Sequence, residues 1–224
     1  MGSTPAGRHA VLCGEPDITP VWRNPVRHLI DQARTFRTRC GGAGRDLRSF
    51  ADGQRPSAMF ITCSDSRVVP TLLTNSGPGE LFELRTAGNV VPPYDPDSPS
   101  GEMATIEYAV SVLEVSDIVL CGHSHCGAVG AMARGEDLRA LPAVRGWLGR
   151  SAPTDGGAGH GDLGPDVARP VQHHVVAQLE KLRAYPCVSR AVGEGRLGLH
   201  AWYYEVHTGV VRTHDLPSGT FTSL

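Results

Sequence analysis

Apolar positions recur along the chain with two different periods. From Asn24 the run N-P-V-R-H-L-I-D-Q-A-R-T-F sets Val26, Leu29, Ile30, Ala33 and Phe36 at helical spacing, with Asn24 as cap and Pro25 at the first helical position. A helix with such a stripe needs a surface to lie on. A-M-F-I-T, residues 58–62, is instead short and almost wholly apolar, the pattern of a buried strand, and it ends directly at Cys63. L-F-E-L-R (81–85) predicts a second strand and D-I-V-L-C (117–121) a third; between them Met103, Ile106, Ala109, Val110 and Leu113 predict a helix over 101–115. Helices follow over 128–133, 138–148, 171–184 and 186–193. L-G-L-H-A-W-Y-Y-E-V and T-G-V-V-R-T-H close the chain as a hairpin turned at Thr208-Gly209.

This alternation of strand, helix and strand predicts an α/β fold: a central, mostly parallel sheet flanked by helices. Such sheets carry their sites at the carboxyl ends of the strands. Cys63, Arg85 and the run Cys121–Gly127 all stand there. Residues 1–23, rich in small residues and proline, predict a flexible N-terminal arm, and 24–224 a single domain. The glycine-rich stretch 151–165 reads as a surface loop within it; no Lys-Ser/Thr follows that would make it a phosphate cradle.

Composition narrows the function by exclusion. With 40% hydrophobic and 20% charged residues the chain is ordinary globular protein, and a net charge of −2 without a basic stripe points away from nucleic acid and anionic membranes. No apolar run nears the roughly 20 residues that cross a bilayer, and the first residues lack the apolar core of a secretory signal. The expected location is the cytoplasm. In that reducing setting the six cysteines, at 13, 40, 63, 121, 126 and 187, point to metal or catalysis rather than disulfides.

The segment C-G-H-S-H-C-G (121–127) concentrates zinc-ligand chemistry. His123 and Cys126, three apart, can reach one ion across a single turn, whereas His125 diverges from its neighbour Cys126. Cys121 lies inside the apolar strand and reads as a buried thiol. Two ligands are too few; Cys63, at the end of a neighbouring buried strand, supplies a third. Three protein ligands with one open position describe a catalytic zinc. In C-S-D-S-R (63–67), Asp65 and Arg67 stand two apart, share a side of an extended segment and can pair through a bidentate guanidinium. Beside a metal whose bound water ionises near pH 7, an oriented carboxylate directs a hydroxide. His125, His173 and His174 show no further metal spacing; His125 reads as a loop residue, and His173 and His174 as solvated or interfacial.

C-S-D-S-R and G-H-S-H-C-G at this separation resemble the β-class carbonic anhydrases, and the resemblance runs from about Asn24 to Asp215. It includes G-Q-R-P, R-T-A-G-N-V-V-P-P-Y-D, I-E-Y-A-V, Q-L-E-K-L-R-A-Y-P and L-H-A-W-Y-Y. It implies reversible hydration of carbon dioxide to bicarbonate by zinc-bound hydroxide, with one Zn2+ per chain on Cys63, His123 and Cys126 and with Asp65 and Arg67 as catalytic dyad. It further implies an apolar slot lined by Gln54, Phe82, Ala87, Tyr108 and Gly127. By the same resemblance the slot is completed in a homodimer or larger even-numbered oligomer, the N-terminal helix embracing the partner. Some bacterial members carry a second bicarbonate site of Trp, Arg and Tyr; Arg85 and Tyr204 match it, but Phe60 stands at the Trp position. A sulfur analogue of carbon dioxide as substrate, or a bicarbonate-sensing scaffold with Asp65 closed on the metal, would use the same residues. The joint presence of Asp65, Arg67 and Gln54 favours turnover.

Overall fold

Six strands form one sheet in a computed structural model of the chain, which describes residues 25–42, 47–151, 164 and 166–224. They are β1 (Ala58–Cys63), β2 (Leu81–Thr86), β3 (Asp117–His123), β4 (Gly198–Tyr204), β5 (Val211–Asp215) and β6 (Thr220–Ser223), arranged in the order β2-β1-β3-β4-β5-β6. The first four are parallel neighbours, β5 runs antiparallel to β4, and β6 runs antiparallel to β5. The sheet is therefore mostly parallel, as the alternation of elements predicts. The expected arm over 1–23, the Asn24 cap, Cys13 and residues 152–163 and 165 of the glycine-rich stretch lie outside the described residues.

The seven helices are α1 (Pro25–Gly42), α2 (Pro70–Thr74), α3 (Gly101–Ser111), α4 (Gly127–Arg134), α5 (Pro142–Gly149), α6 (Ala168–Arg183) and α7 (Pro186–Gly193), counted among the described residues. The chain divides into two compact units, Met1–Asp52 and Gly53–Leu224. The first contains α1, on which Val26, Leu29, Ile30 and Phe36 are exposed. The sheet and the other helices belong to the second.

Strand alternation sorts the apolar residues of the second unit into two clusters. Met59, Ile61, Ile118, Leu120 and Ala201 pack with Val171, Val175, Leu179 and Leu182 of α6. Phe60, Val119 and Cys121 form a smaller cluster with Trp202 and Tyr204, Phe60 meeting Trp202 edge-on at 5.9 Å. Each fully buried aliphatic side chain here contributes about 1.5–3 kcal/mol. Close seating of α6 depends on Gly122 of β3. A Cβ there would stand 2.4 Å from Val175 Cγ2 and 2.6 Å from Val171 Cγ1, so only glycine lets the helix lie where it does.

Several boundaries differ from the sequence reading, and two short elements lie outside it. The predicted helix over 101–115 ends at Ser111 because Glu114 takes a left-handed φ of 52°, after which Val115 donates its N–H back to the Ala109 carbonyl at 3.2 Å. The helix expected from 138 starts at Pro142, which suits a first helical position. The β4–β5 turn is longer than two residues: Glu205 N–H bonds the Val210 carbonyl, and the N–H groups of Thr208 and Gly209 both bond the Glu205 carbonyl. Strand β6 and the short α2 were not indicated by periodicity, since neither is long enough to display one.

Candidate metal centre

Strands β1 and β3 run side by side and parallel, with Thr62 opposite Cys121, so their carboxyl ends emerge together. Cys63 ends β1, His123 ends β3, and Cys126 is the residue capping the start of α4. One donor atom from each of these three lies within 4.8 Å of the other two, and all three side chains are buried. The convergence follows from the topology: a parallel crossover returns the chain to the same end of the sheet.

His123 shows what the cluster is suited to hold. Its Nδ1 lies 2.9 Å from the Ser124 carbonyl, which accepts the ring N–H. Its Nε2 thus carries the free lone pair, and that atom is buried without a hydrogen-bond partner. Buried polar atoms are nearly always satisfied, and an unsatisfied imidazole lone pair beside two sulfurs is chemically a ligand. The sulfurs agree. A hydrogen bond from Cys126 holds the Cys63 thiol well below its usual range, helped by backbone N–H groups of Asp65 and Gly88 against the opposing effect of burial. Cys126 is pushed up, first by its bond to Cys63 and then by burial. Two thiolates cannot both stay charged there unaided, and a divalent cation removes the conflict. Two sulfurs and one imidazole nitrogen match zinc, with one coordination position left over.

Asp65 and Arg67 pair, as their spacing suggests, but by a different route. The segment is a turn, closed by Val68 N–H on the Asp65 carbonyl at 3.1 Å. Asp65 Oδ1 accepts from Arg67 N–H and Nε at 2.9 Å each, and Oδ2 from Nη2 at 2.7 Å. Oδ2 also lies 3.8 Å from His123 Nε2. The guanidinium of Arg67 holds the Asp65 carboxyl well below the usual carboxylate range. Arg67 is itself fixed by donating to the His125 carbonyl at 3.1 Å.

Other groups brace this corner. Arg85, at the end of β2, donates to the carbonyls of Cys63, Asp65 and Val68 at 2.7–3.2 Å, tying the turn to the sheet. His174 is not solvated: it is 9% exposed and its Nε2–H donates to the Gly88 carbonyl at 2.8 Å. Burial lowers its pKa to about 4, so it is neutral near pH 7. It lies on the buried stripe of α6, three residues after Val171 and four before Gln178. His125 sits in the loop with φ 58° and its Nδ1 3.2 Å from Ser124 Oγ, apart from the three-ligand cluster.

None of the five residues matched to a slot is fully buried. Gln54, Ala87 and Gly127 are exposed, and Phe82 and Tyr108 face each other with ring centroids 6.1 Å apart, Tyr108 being 45% exposed. They do not line the cavity of about 250 Å³ that lies between α6 and the β4–β5 strands, around Leu179, Leu199 and His214.

A family model described as carbonic anhydrase matches residues 58–211. A carbonic anhydrase of Pseudomonas aeruginosa is 47% identical over 203 residues, spanning 89% of this chain and 92% of that protein. One from Synechococcus elongatus is 42% identical over 83% of this chain and 70% of its own length. Among solved structures, that of the β-carbonic anhydrase CcaA superposes with a TM-score of 0.80 at 35% identity, over 89% of this chain and 92% of that one. A structure among two tetrameric β-carbonic anhydrases from Sordaria macrospora gives 0.71 at 29% identity, over 89% of this chain and 99% of that one.

Proposed function

This chain belongs to the carbonic anhydrase family, in its β class, and from that membership we propose that Cys63, His123 and Cys126 hold one Zn2+ per chain for the reversible hydration of carbon dioxide to bicarbonate and a proton. As a carbonic anhydrase it is a lyase. The observation that carries the site assignment is the orphaned, buried Nε2 of His123 within a cluster that also contains two thiol sulfurs. Zinc bound there would bring the pKa of a coordinated water down to about 7 and so make hydroxide available near neutrality.

The chain's own residues supply orientation. Arg67 keeps Asp65 ionised and engages both of its oxygens. A fixed carboxylate this close to His123 accepts a hydrogen bond from the reacting water and sets the direction of the remaining lone pair, which is where positioning lowers the barrier. Arg85 holds the backbone that carries Asp65, so the carboxylate cannot drift with its turn. Gln54, Phe82, Ala87, Tyr108 and Gly127 form the mouth for carbon dioxide, a substrate with no charge to anchor and hence suited to an apolar wall. The open placement of these five in a single chain supports completion of the slot by a second copy. Free cysteines at 40, 63, 121, 126 and 187 suit a reducing, cytoplasmic setting.

Stopped-flow hydration of carbon dioxide on protein of measured zinc content, from about pH 6.5 to 9, tests this reading. One zinc per chain with turnover throughout is the expected result. Turnover confined to the alkaline end would show Asp65 leaving the metal as pH rises, and full zinc with no hydration would overturn the reading.

A further inference from the structure

One peptide group beside the metal cluster has both of its polar atoms engaged. The N–H of Gly88 points at Cys63 Sγ, 3.4 Å away, and the carbonyl of the same peptide, that of Ala87, accepts the indole Nε1–H of Trp147 at 2.9 Å. We propose that Trp147, on α5, is a positioning residue for the metal site, acting on the Cys63 sulfur through the Ala87–Gly88 peptide. The inference rests on the zinc reading above.

Hydrogen bonds in series through an amide reinforce one another, because a donor on the carbonyl draws electron density from the N–H and makes it the stronger donor. The indole thus strengthens the bond that orients a sulfur lone pair. The strap bearing this peptide has little freedom to supply the same effect by moving. On its far side His174 donates to the Gly88 carbonyl at 2.8 Å and Gln178 accepts from Val91 N–H at 2.9 Å, two groups one helical turn apart on α6. Gly88 itself has φ 71°, and a Cβ on it would come 3.1 Å from that of Ala128, two residues beyond Cys126. Strap, sulfur and both clamps form one contiguous set. Trp147 reaches the strap through its indole N–H, which a substitution can remove while keeping an aromatic ring.

Trp147→Phe keeps an aromatic ring and removes that N–H. Metal-free protein, unaltered and variant, is loaded with Co2+ against a competing chelator, and the near-ultraviolet band of thiolate-to-cobalt charge transfer is recorded. Because the Gly88 N–H stays on the sulfur and only its strength changes, binding is expected to weaken by less than the roughly 10-fold or more that loss of a direct outer partner costs. The band is expected at longer wavelength, since a sulfur that loses hydrogen-bond support releases its electrons more readily. Unchanged affinity with an unmoved band would overturn the proposal, and so would weaker binding with an unmoved band, which marks a role in packing alone. Should the Phe variant not fold, replacing the indole by benzothiophene, the same ring shape with sulfur in place of N–H, carries the comparison. Absence of any thiolate band from the unaltered protein overturns the metal site and this inference with it. A band without carbon dioxide hydration overturns only the reaction, and the variant still decides the role of Trp147.

Discussion

Asp65 is the residue where charge and geometry are tied most closely, since Arg67 reaches both carboxylate oxygens from a turn rather than from an extended strand. Asp65→Asn is expected to keep its zinc and lose turnover by about 10²- to 10⁴-fold, the usual weight of a proton-handling group; metal analysis beside stopped-flow rates checks this. The folded carboxyl lies below its unfolded value of about 3.9, so its stabilisation is fully present above roughly pH 4 and is lost as pH falls through the folded value. Denaturant midpoints should therefore show the Asn variant equally far below the parent at pH 6 and pH 8, with the gap closing in strong acid. His123→Ala is expected to abolish zinc binding and His125→Ala to leave it intact; metal lost from the latter would mean that the wrong histidine has been assigned. That Cys63, His123 and Cys126 come together was legible because each stands at an element's end, where a parallel sheet brings distant residues together. The supports were not. Arg85 and Trp147 act on backbone carbonyls, and no spacing in a sequence reports where a carbonyl points.

Among the elements, α6 braces the segment beside the cluster through His174 and Gln178, and its seat is set by Gly122. Gly122→Ala should destabilise by about 1–3 kcal/mol through overpacking, and adding Val175→Ala should recover part of that loss, a coupling read from a double-mutant cycle of unfolding free energies. The same helix carries an acid sensitivity. His174 has a folded pKa of about 4 because it is buried, so between that value and the ordinary value of about 6.5 the unfolded chain binds a proton that the folded one refuses. Stability contributed at this position is thus whole above about pH 6.5 and falls on acidification, by on the order of 3 kcal/mol at pH 4. His174→Asn should flatten that part of the stability profile, measured by denaturation at pH 5 and 7. The buried parallel strands could be read directly from their apolar runs. The inward face of α6 was harder, because in V-Q-H-H-V-V-A-Q-L apolar residues spread round too much of the helix to single out one face.

For the whole molecule, the fold class was legible in the pattern of elements, while the expected assembly came from the resemblance alone. Alternating strands and helices fix a mostly parallel sheet, whereas an apolar stripe on a helix reads the same whether it packs within the chain or against a second copy. Leu29, Phe36, Leu72 and Val112 are 65%, 50%, 79% and 60% exposed in the single chain. If α1 embraces a partner, Leu29→Asp with Phe36→Asp should shift sedimentation toward the monomer while the circular dichroism of the sheet unit stays unchanged; an unaltered sedimentation profile would remove α1 from the interface. Two helices and a strand separate Cys63 from His123 and Cys126 along the chain. An ion joining them is a cross-link over a long loop, and it removes freedom from the unfolded chain as well as adding bonds to the folded one. Chelation should then unfasten the carboxyl ends of β1 and β3 before anything else. Amide exchange would quicken there, while β4, β5 and β6, closed by short turns of their own, keep their protection.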